Sequence, residues 1–275
     1  MGLFVSAQTE TEMTMRNKLA DAEDIVVKVG TKVLMGADGS VATEIVHRLV
    51  ESIARLRSRG YRVVLVSSGA VGIGANALGL SCQLVSVCAA AGQSVLTSLY
   101  QQAFREHGIH VAQILVTAED FAAPSRGRRL TQTLRHLIAA GALPILNEND
   151  AISGSQTEGD SASPFSENDM LASLIARELH TDLLVLLTDV DGLYDLHPQN
   201  PDAALIEELQ GEHVEADAEI RNGRGGVRAK VKAAIHATRE RHTVAVIANG
   251  RTPNVLERIL NGDQIGTLIA SVEAK

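Results

Sequence analysis

LPILNENDAIS (Leu143–Ser153) and LLVLLTDVDGLYD (Leu183–Asp195) share one construction: a short apolar run that breaks into acids, amides and a hydroxyl. A run of this kind reads as a strand, and the polar group after it lies at the strand's carboxyl end. In open α/β sheets ligands bind in the crevice outside that end. Two stretches upstream repeat the pattern, IVVKVGTK (Ile25–Lys32) and VVLVSSGAVGIG (Val63–Gly74). Several strands therefore deliver polar residues to one edge of one sheet, and one edge implies one site.

Between these runs lie longer amphipathic stretches, the pattern of βα units around a mostly parallel sheet. The expected strands are Ile25–Val29, Arg62–Ser67, Ile109–Val116, Leu143–Leu146, Leu183–Thr188, Thr243–Ala248 and Thr267–Ile269. Helical periodicity covers Val41–Arg59, Leu84–His107, Arg126–Ala140, Asn168–Leu179, Val227–Glu240 and Pro253–Leu260. The helix from Leu84 begins apolar on more than one face, so it is either a buried central helix or a subunit contact. Ser153–Glu167 is the one long irregular stretch, and a connection of that length is usually functional or mobile.

With 275 residues, 45% of them hydrophobic, the chain can bury one large α/β core or two intimate lobes. A formal charge of −8 argues against nucleic acid or an anionic membrane as the default partner. Cys82 and Cys88 lack metal-ligand spacing and read as buried, reduced thiols of a cytoplasmic protein. No apolar run reaches the roughly 20 residues of a membrane span. MGLFVS at the start fits an N-myristoylation pattern, but only Arg16 and Lys18 follow it, so the second signal that stable anchoring needs is missing. Residues 1–24 are expected to form a mostly disordered extension, with the folded domain spanning 25–275.

Lys28 interrupts an apolar strand whose neighbours call for cover on both faces. A charge in that setting wants an anion, and Gly30 beside it would let a backbone N–H come close to one. Gly72-x-Gly74-x-x-Ala77 superficially fits a dinucleotide fingerprint, yet Ser81–Ala103 lacks the acid that a Rossmann unit requires. What remains is a glycine-rich turn offering donors to a small anion. Arg224–Lys230 (RGGVRAK) puts two glycines before a helix and a lysine inside its start, where the macrodipole disfavours a cation unless an anion binds. No P-loop, H-E-x-x-H, paired CxxC or G-x-S-x-G sequence is present. Arg126, Arg128, Arg129 and Arg135 read as a solvated helix face.

Taken in order, VVKVGT, VSSGAVGIG, AAAGQS, LPILNENDAIS, END before a helix, LLTDVDGLY, GRGGVRAKVKAA, IANG and GTLI resemble the amino acid kinase family, and within it the glutamate-phosphorylating branch, over about residues 24–270. The resemblance implies a three-layer αβα sandwich around an open, mainly parallel β-sheet, with an N-terminal half for the substrate and a C-terminal half for ATP. It also implies phosphorylation of the glutamate γ-carboxylate, the first step of proline biosynthesis, with Mg2+ held mainly by the nucleotide. By similarity Lys28, Lys230 and Asp169 are catalytic, the aspartate orienting the two lysines. Ser68, Gly69, Asp150 and Asn168 would bind the substrate. Lys28, Gly30, Thr31, Thr188, Asp189, Arg224, Gly225, Gly226, Val227 and Lys230 would hold ATP, and no residue is assigned to a metal. Feedback inhibition by proline is implied too, with Asp120 and Ser153–Glu167 as candidate participants, as are a homo-oligomer and a downstream glutamyl phosphate reductase.

The chain departs from the family pattern at Phe165-Ser166-Glu167-Asn168-Asp169, where phenylalanine-glycine-aspartate-asparagine-aspartate is common. It also carries Arg224 and Arg228 where smaller residues are usual, and it ends at Lys275, so a kinase-only form without a C-terminal PUA domain is expected. Two rivals stand beside this reading: a sister kinase acting on another carboxylate, carbamate or nucleotide acceptor, and a non-catalytic ligand sensor. The NENDA and SSGAVG pairing argues against the first, and the presence of Lys28, Lys230 and Asp169 together argues against the second.

Overall fold

A computed structural model describes residues 15–36, 39–153, 168–196, 200–210, 225–239 and 243–271. Eight strands form one sheet in the order β3-β4-β2-β1-β5-β9-β10-β8. They are β1 (Asp24–Val29), β2 (Arg62–Ser67), β3 (Val111–Val116), β4 (Leu143–Glu148), β5 (Leu183–Thr188), β8 (Glu208–Gln210), β9 (Val244–Asn249) and β10 (Thr267–Ala270). All pairings are parallel except that of β10 with β9. A separate hairpin pairs β6 (Leu193–Tyr194) with β7 (Leu205–Ile206).

Strand periodicity divides the core into two layers. Ile25, Val27 and Val29 face one side of β1 and Val26 the other, and β2 and β5 alternate in the same phase. The first side packs on α2 (Thr43–Ser58), α4 (Val85–Arg105) and α10 (Val255–Leu260). The second packs on α6 (Pro124–Ala139), α8 (Asn168–Leu179) and α9 (Gly225–Thr238). This is the expected three-layer αβα sandwich, and strands covered on both faces explain why LLVLLT is buried throughout. In α2, Val46, Leu49, Val50, Ile53 and Leu56 recur at helical spacing and form its buried stripe.

The expected strands and long helices are present, with ends shifted by a few residues. The short elements α1 (Thr31–Leu34), α3 (Ala70–Leu78), α5 (Ala118–Ala122) and α7 (Asp150–Ser153) escape a periodicity argument because each gives too few turns to show one. α3 packs on α4 at van der Waals limits. A Cβ on Gly92 would lie 1.8 Å from the Ala70 carbonyl oxygen, and one on Gly74 would lie 1.8 Å from that of Cys88.

The stretch 15–23 is ordered, contrary to the expected boundary at 24. Residues Asn17–Asp21 form a 3-10 turn, and the buried Arg16 guanidinium donates to the carbonyls of Glu207, Asp263, Ile265 and Gly266 at 2.8–3.0 Å. Four backbone acceptors compensate the desolvation that lowers its pKa, which the charges of Glu208 and Glu207 also oppose. The myristoylation pattern, most of the Ser153–Glu167 stretch and Arg224 lie outside the described residues.

Candidate active site

The switch in strand order, where the chain leaves β4 and returns across β1 to β5, opens a cleft of about 550 Å³ at the carboxyl ends of the strands. Its wall includes Lys28 in β1 and Gly30 and Thr31 after it, Ser68 and Gly69 after β2, Glu148 and Asp150 at the end of β4, and Thr188 and Asp189 at the end of β5. Asn168 and Asp169 from α8 and Val227 and Lys230 from α9 complete it. Among the described residues, Lys28, Gly30, Thr31, Ser68, Gly69, Asp150, Asn168, Asp169, Thr188, Asp189, Val227 and Lys230, all expected at the site, are brought together here, and Gly225 and Gly226 open α9.

Its centre is an ion triad. Lys28 shares the strand face of Val26, so it points into the α8/α9 layer. There its Nζ lies 2.6 Å from Asp169 Oδ1, with the two side chains only 5% and 1% exposed. Lys230 Nζ donates to the other oxygen, Oδ2, at 3.1 Å. The contact to Oδ1 is a close ion pair and not an aligned hydrogen bond. Asp169 sits in the first turn of α8, where the helix macrodipole also favours its charge. Lys230 falls in the second turn of α9 and not the first, and Asp169 supplies the counter-charge that the sequence assigns to an anion.

On the β2/β4 side the walls are held by amides. Asn168 Nδ2 donates to Ser68 Oγ at 3.1 Å and to Asn147 Oδ1 at 2.9 Å, and Asn147 Nδ2 donates to Gln93 Oε1 of α4 at 2.8 Å. Asn168, expected as a substrate contact, thus also braces the loop that carries Ser68. Ser67 faces the opposite layer, where its hydroxyl lies 3.0 Å from the buried Tyr100 hydroxyl. Gly69 takes φ 107°, a left-handed value that favours glycine, and turns the chain from β2 into α3. Glu148 is buried, accepts a hydrogen bond from Ser153 Oγ at 3.0 Å and stands beside Asp150. Burial first, and the Glu148 charge second, push the Asp150 carboxyl up to about 6.

Asn147, Glu148 and Gln93 are functional neighbours that the sequence alone does not assign. NEND reads as a loop, but its first two residues finish β4 and Asp150 opens α7.

On the β5/β9 side Thr188 Oγ1 donates to Asp189 Oδ1 at 3.3 Å, and Asp189 Oδ2 lies 3.8 Å from Lys32 Nζ. Arg251, just past β9, donates to the Lys32 carbonyl at 2.8 Å and ties the two loops together.

Two expectations are corrected. The Gly30 N–H, expected to approach an anion, donates to the Leu187 carbonyl at 3.2 Å, so it extends the β1–β5 ladder instead. Cys88 is buried but Cys82 is exposed at the cleft rim. Asp120 forms the capping box of α5, its carboxylate accepting from the Thr117 N–H at 2.8 Å and hydroxyl at 3.0 Å. The arginines of α6 are exposed, as expected.

Two lysines meet one buried carboxylate at the switch point of a mainly parallel open α/β sheet, and the sequence carries no P-loop. The sequence profile of the amino acid kinase family matches residues 24–249, and the chain belongs to that family. It is 40% identical over 279 residues to a delta-1-pyrroline-5-carboxylate synthase of Solanum lycopersicum, covering 94% of this chain and 39% of the relative. The chain thus spans about two fifths of the length of the synthases it matches. A glutamate 5-kinase of Listeria monocytogenes serotype 4a is 34% identical over 268 residues, covering 94% of this chain and 96% of that one. Among solved structures, carbamate kinase from Giardia lamblia bound to AMP-PNP superposes with a TM-score of 0.68 at 20% identity, covering 92% of this chain and all of that one. UMP kinase from Bacillus anthracis gives 0.62 at 18% identity, covering 90% and 96%. At such identities these two establish the fold.

Proposed function

We propose that the chain transfers the γ-phosphoryl group of ATP to the side-chain carboxylate of L-glutamate, giving L-glutamyl 5-phosphate and ADP, the first step of proline biosynthesis. The observation that carries this reading is the buried Asp169 with Lys28 on one oxygen and Lys230 on the other, at the seam between the two halves of the cleft. The name of the Listeria relative, glutamate 5-kinase, supports glutamate as the acceptor.

The acceptor suits the site chemically. A glutamate side chain has a pKa near 4.3 and is already ionised at neutral pH, so its oxygen attacks the γ-phosphorus without a general base. The bond to the β,γ-bridging oxygen breaks, ADP leaves, and no proton moves. Catalysis is then positioning and charge neutralisation. Lys28 neutralises charge from the acceptor side and Lys230 from the nucleotide side, while Asp169 keeps both ammonium groups aimed at the seam. The acids of β4, Asp150 and Glu148, suit the substrate's α-ammonium, and Ser68 and Gly69 lie against the same space. Thr188, Asp189 and the start of α9 serve the nucleotide. Both Asp169 oxygens face ammonium groups, and the described residues hold no cluster of three metal-ligating side chains. Mg2+ would be held mainly by the ATP phosphates, whose charge it would offset.

Further parts of the reading are a cytoplasmic location, inhibition by proline at the glutamate side of the cleft, and a reductase that consumes the labile acyl phosphate. Self-association is included as well. Val63–Phe104 carries no charged side chain, and Leu84, Val87 and Val95 of the α4 region are exposed beside Leu78 and Leu80. Exposed apolar side chains gathered along one uncharged segment suit a contact, and a second copy is the proposed occupant.

Hydroxylamine trapping tests the reaction. Purified protein with Mg-ATP and glutamate should yield the γ-hydroxamate in step with ADP. ADP release with aspartate, acetylglutamate, carbamate or UMP, and none with glutamate, would overturn the assignment.

A further inference from the structure

A polar cluster outside the cleft links the two helices that carry Asp169 and Lys230. α8 and α9 lie side by side and run in the same direction, and alanines make up much of their buried faces: Ala172 and Ala176 beside Leu171 and Ile175 on one, Ala233, Ala234 and Ala237 beside Val231 on the other. Alanine packing is shallow, so it resists sliding and rotation of one helix along the other less than interlocked large side chains do. Asp169, Ser173 and Arg177 recur every four residues and share one face of α8. Asp169 meets Lys230 there. The other two meet His236, a turn and a half further along α9: Ser173 Oγ lies 2.8 Å from Nδ1, and Arg177 Nη1 lies 2.7 Å from Nε2. An arginine only donates, so Nε2 accepts, and the proton of the neutral ring sits on Nδ1 and is given to the serine oxygen. Both ring nitrogens are thereby committed to α8, and the ring contributes nothing to the cleft wall.

We propose that His236 is a positioning residue for phosphoryl transfer, engaging Ser173 and Arg177 together to set the register of α9 against α8 and so the placement of Lys230 on Asp169. The proposal rests on the kinase reading above. It explains why a polar side chain with two specific partners lies in a seam where an apolar one would fill the same space. Misplacing a reacting group by about 1 Å costs on the order of 100-fold in rate, so a slackened register should cost roughly tenfold.

The test is a double-mutant cycle. His236→Leu keeps bulk and removes both hydrogen bonds. At a temperature well below its melting point it should lower kcat roughly tenfold and leave the glutamate KM unchanged, because it frees α9, whereas Ser68, Asp150 and Asn168 lie on other elements. His236→Gln offers an acceptor to Arg177 and a donor to Ser173, and it should recover most of the loss. In a Lys230→Ala background, itself strongly impaired in kcat, His236→Leu should cost nothing further. A full tenfold loss in that background, or wild-type kcat in His236→Leu, overturns the proposal. If His236→Leu does not fold, Ser173→Ala takes its place in the same cycle, with a smaller loss and the same dependence on Lys230. If the wild type makes no acyl phosphate from glutamate, it is the function that fails, and the cycle is then read on Mg-AMP-PNP affinity by calorimetry with the same non-additivity expected.

Discussion

At the residue scale, the cleft separates charge by position. Lys28 and Lys230 hold its centre, and Glu148 and Asp150 its β4 wall. The two acids crowd each other, and burial holds the Asp150 carboxyl up at about 6. A folded-state pKa above the ordinary value means that the ligand-free protein gains stability from protonated Asp150 at acid pH and loses it as pH rises through about 6. An α-ammonium bound there reverses the preference, since it requires the carboxylate. Proton and substrate then compete, so glutamate affinity measured by calorimetry should weaken about tenfold between pH 7 and pH 5. Neither carboxylate of free glutamate titrates over most of that range, and Asp150→Asn should flatten the profile. An affinity independent of pH from 5 to 7 would remove Asp150 from the ammonium site. Lys28 and Lys230 are legible in the sequence because a lone charge in an apolar strand and a cation at a helix start both call for a counter-charge, whereas Asp169 as that counter-charge comes only from the family resemblance and the fold. Asn147 and Gln93 are not, because what defines them is a hydrogen bond between residues far apart in the chain, and no local pattern records a partner at that distance.

At the scale of elements, the glycines of GAVGIG and AAAGQS do more to pack helices than to bind anions. Gly74 and Gly92 let α3 and α4 touch backbone to backbone, and the pair carries substrate-side residues at both ends. Gly69 leads into α3, and Gln93 and Tyr100 of α4 brace Asn147 and Ser67. Gly92→Ala would set a methyl 1.8 Å from the Ala70 carbonyl oxygen and 2.5 Å from the Gly74 nitrogen, both backbone atoms that cannot rotate away. Overpacking of this kind costs typically about 1–3 kcal/mol, which for a chain of this size lowers the melting temperature by roughly 2–12 °C. Calorimetry should show that loss together with a raised glutamate KM, because separating α3 from α4 shifts both braces. An unchanged melting temperature would mean that the helices part without cost. A mainly parallel sheet with helices on both faces follows from βα alternation and from strands apolar along their whole length, so that much of the fold is legible, while the strand order comes from the structure. The packing role of Gly74 and Gly92 is not, since a glycine in a turn and a glycine at a helix crossing look alike in one sequence. The order of 15–23 is hidden for a related reason: Arg16 is secured by carbonyls near the opposite end of the chain.

At the scale of the whole molecule, α4 has two unlike faces. One braces the substrate loops through Gln93 and Tyr100, and the other exposes Val87 and Val95 with Leu84 just before the helix. Ile152 of α7, the helix that follows the NEND segment and packs on α4, is 75% exposed. A helix apolar on both sides must be covered on both, and in the proposed oligomer a second copy covers the outer one. Association would then immobilise α4 and, through it, Asn147 and Ser67. Sedimentation of the wild type should give a mass above the 29.2 kDa of one chain. Val87→Glu with Val95→Glu adds charge only at exposed positions, where substitution usually changes stability by less than about 0.5 kcal/mol, yet two buried charges at an interface oppose pairing strongly. This variant should sediment as a single chain, melt close to the wild type when both are dilute enough to be dissociated, and show a raised glutamate KM with the ATP KM unchanged. A wild type that remains at 29.2 kDa at high concentration would leave the outer face of α4 without the partner proposed for it. A dissociated variant with the original glutamate KM would keep the oligomer and cut the link between that face and the substrate loops.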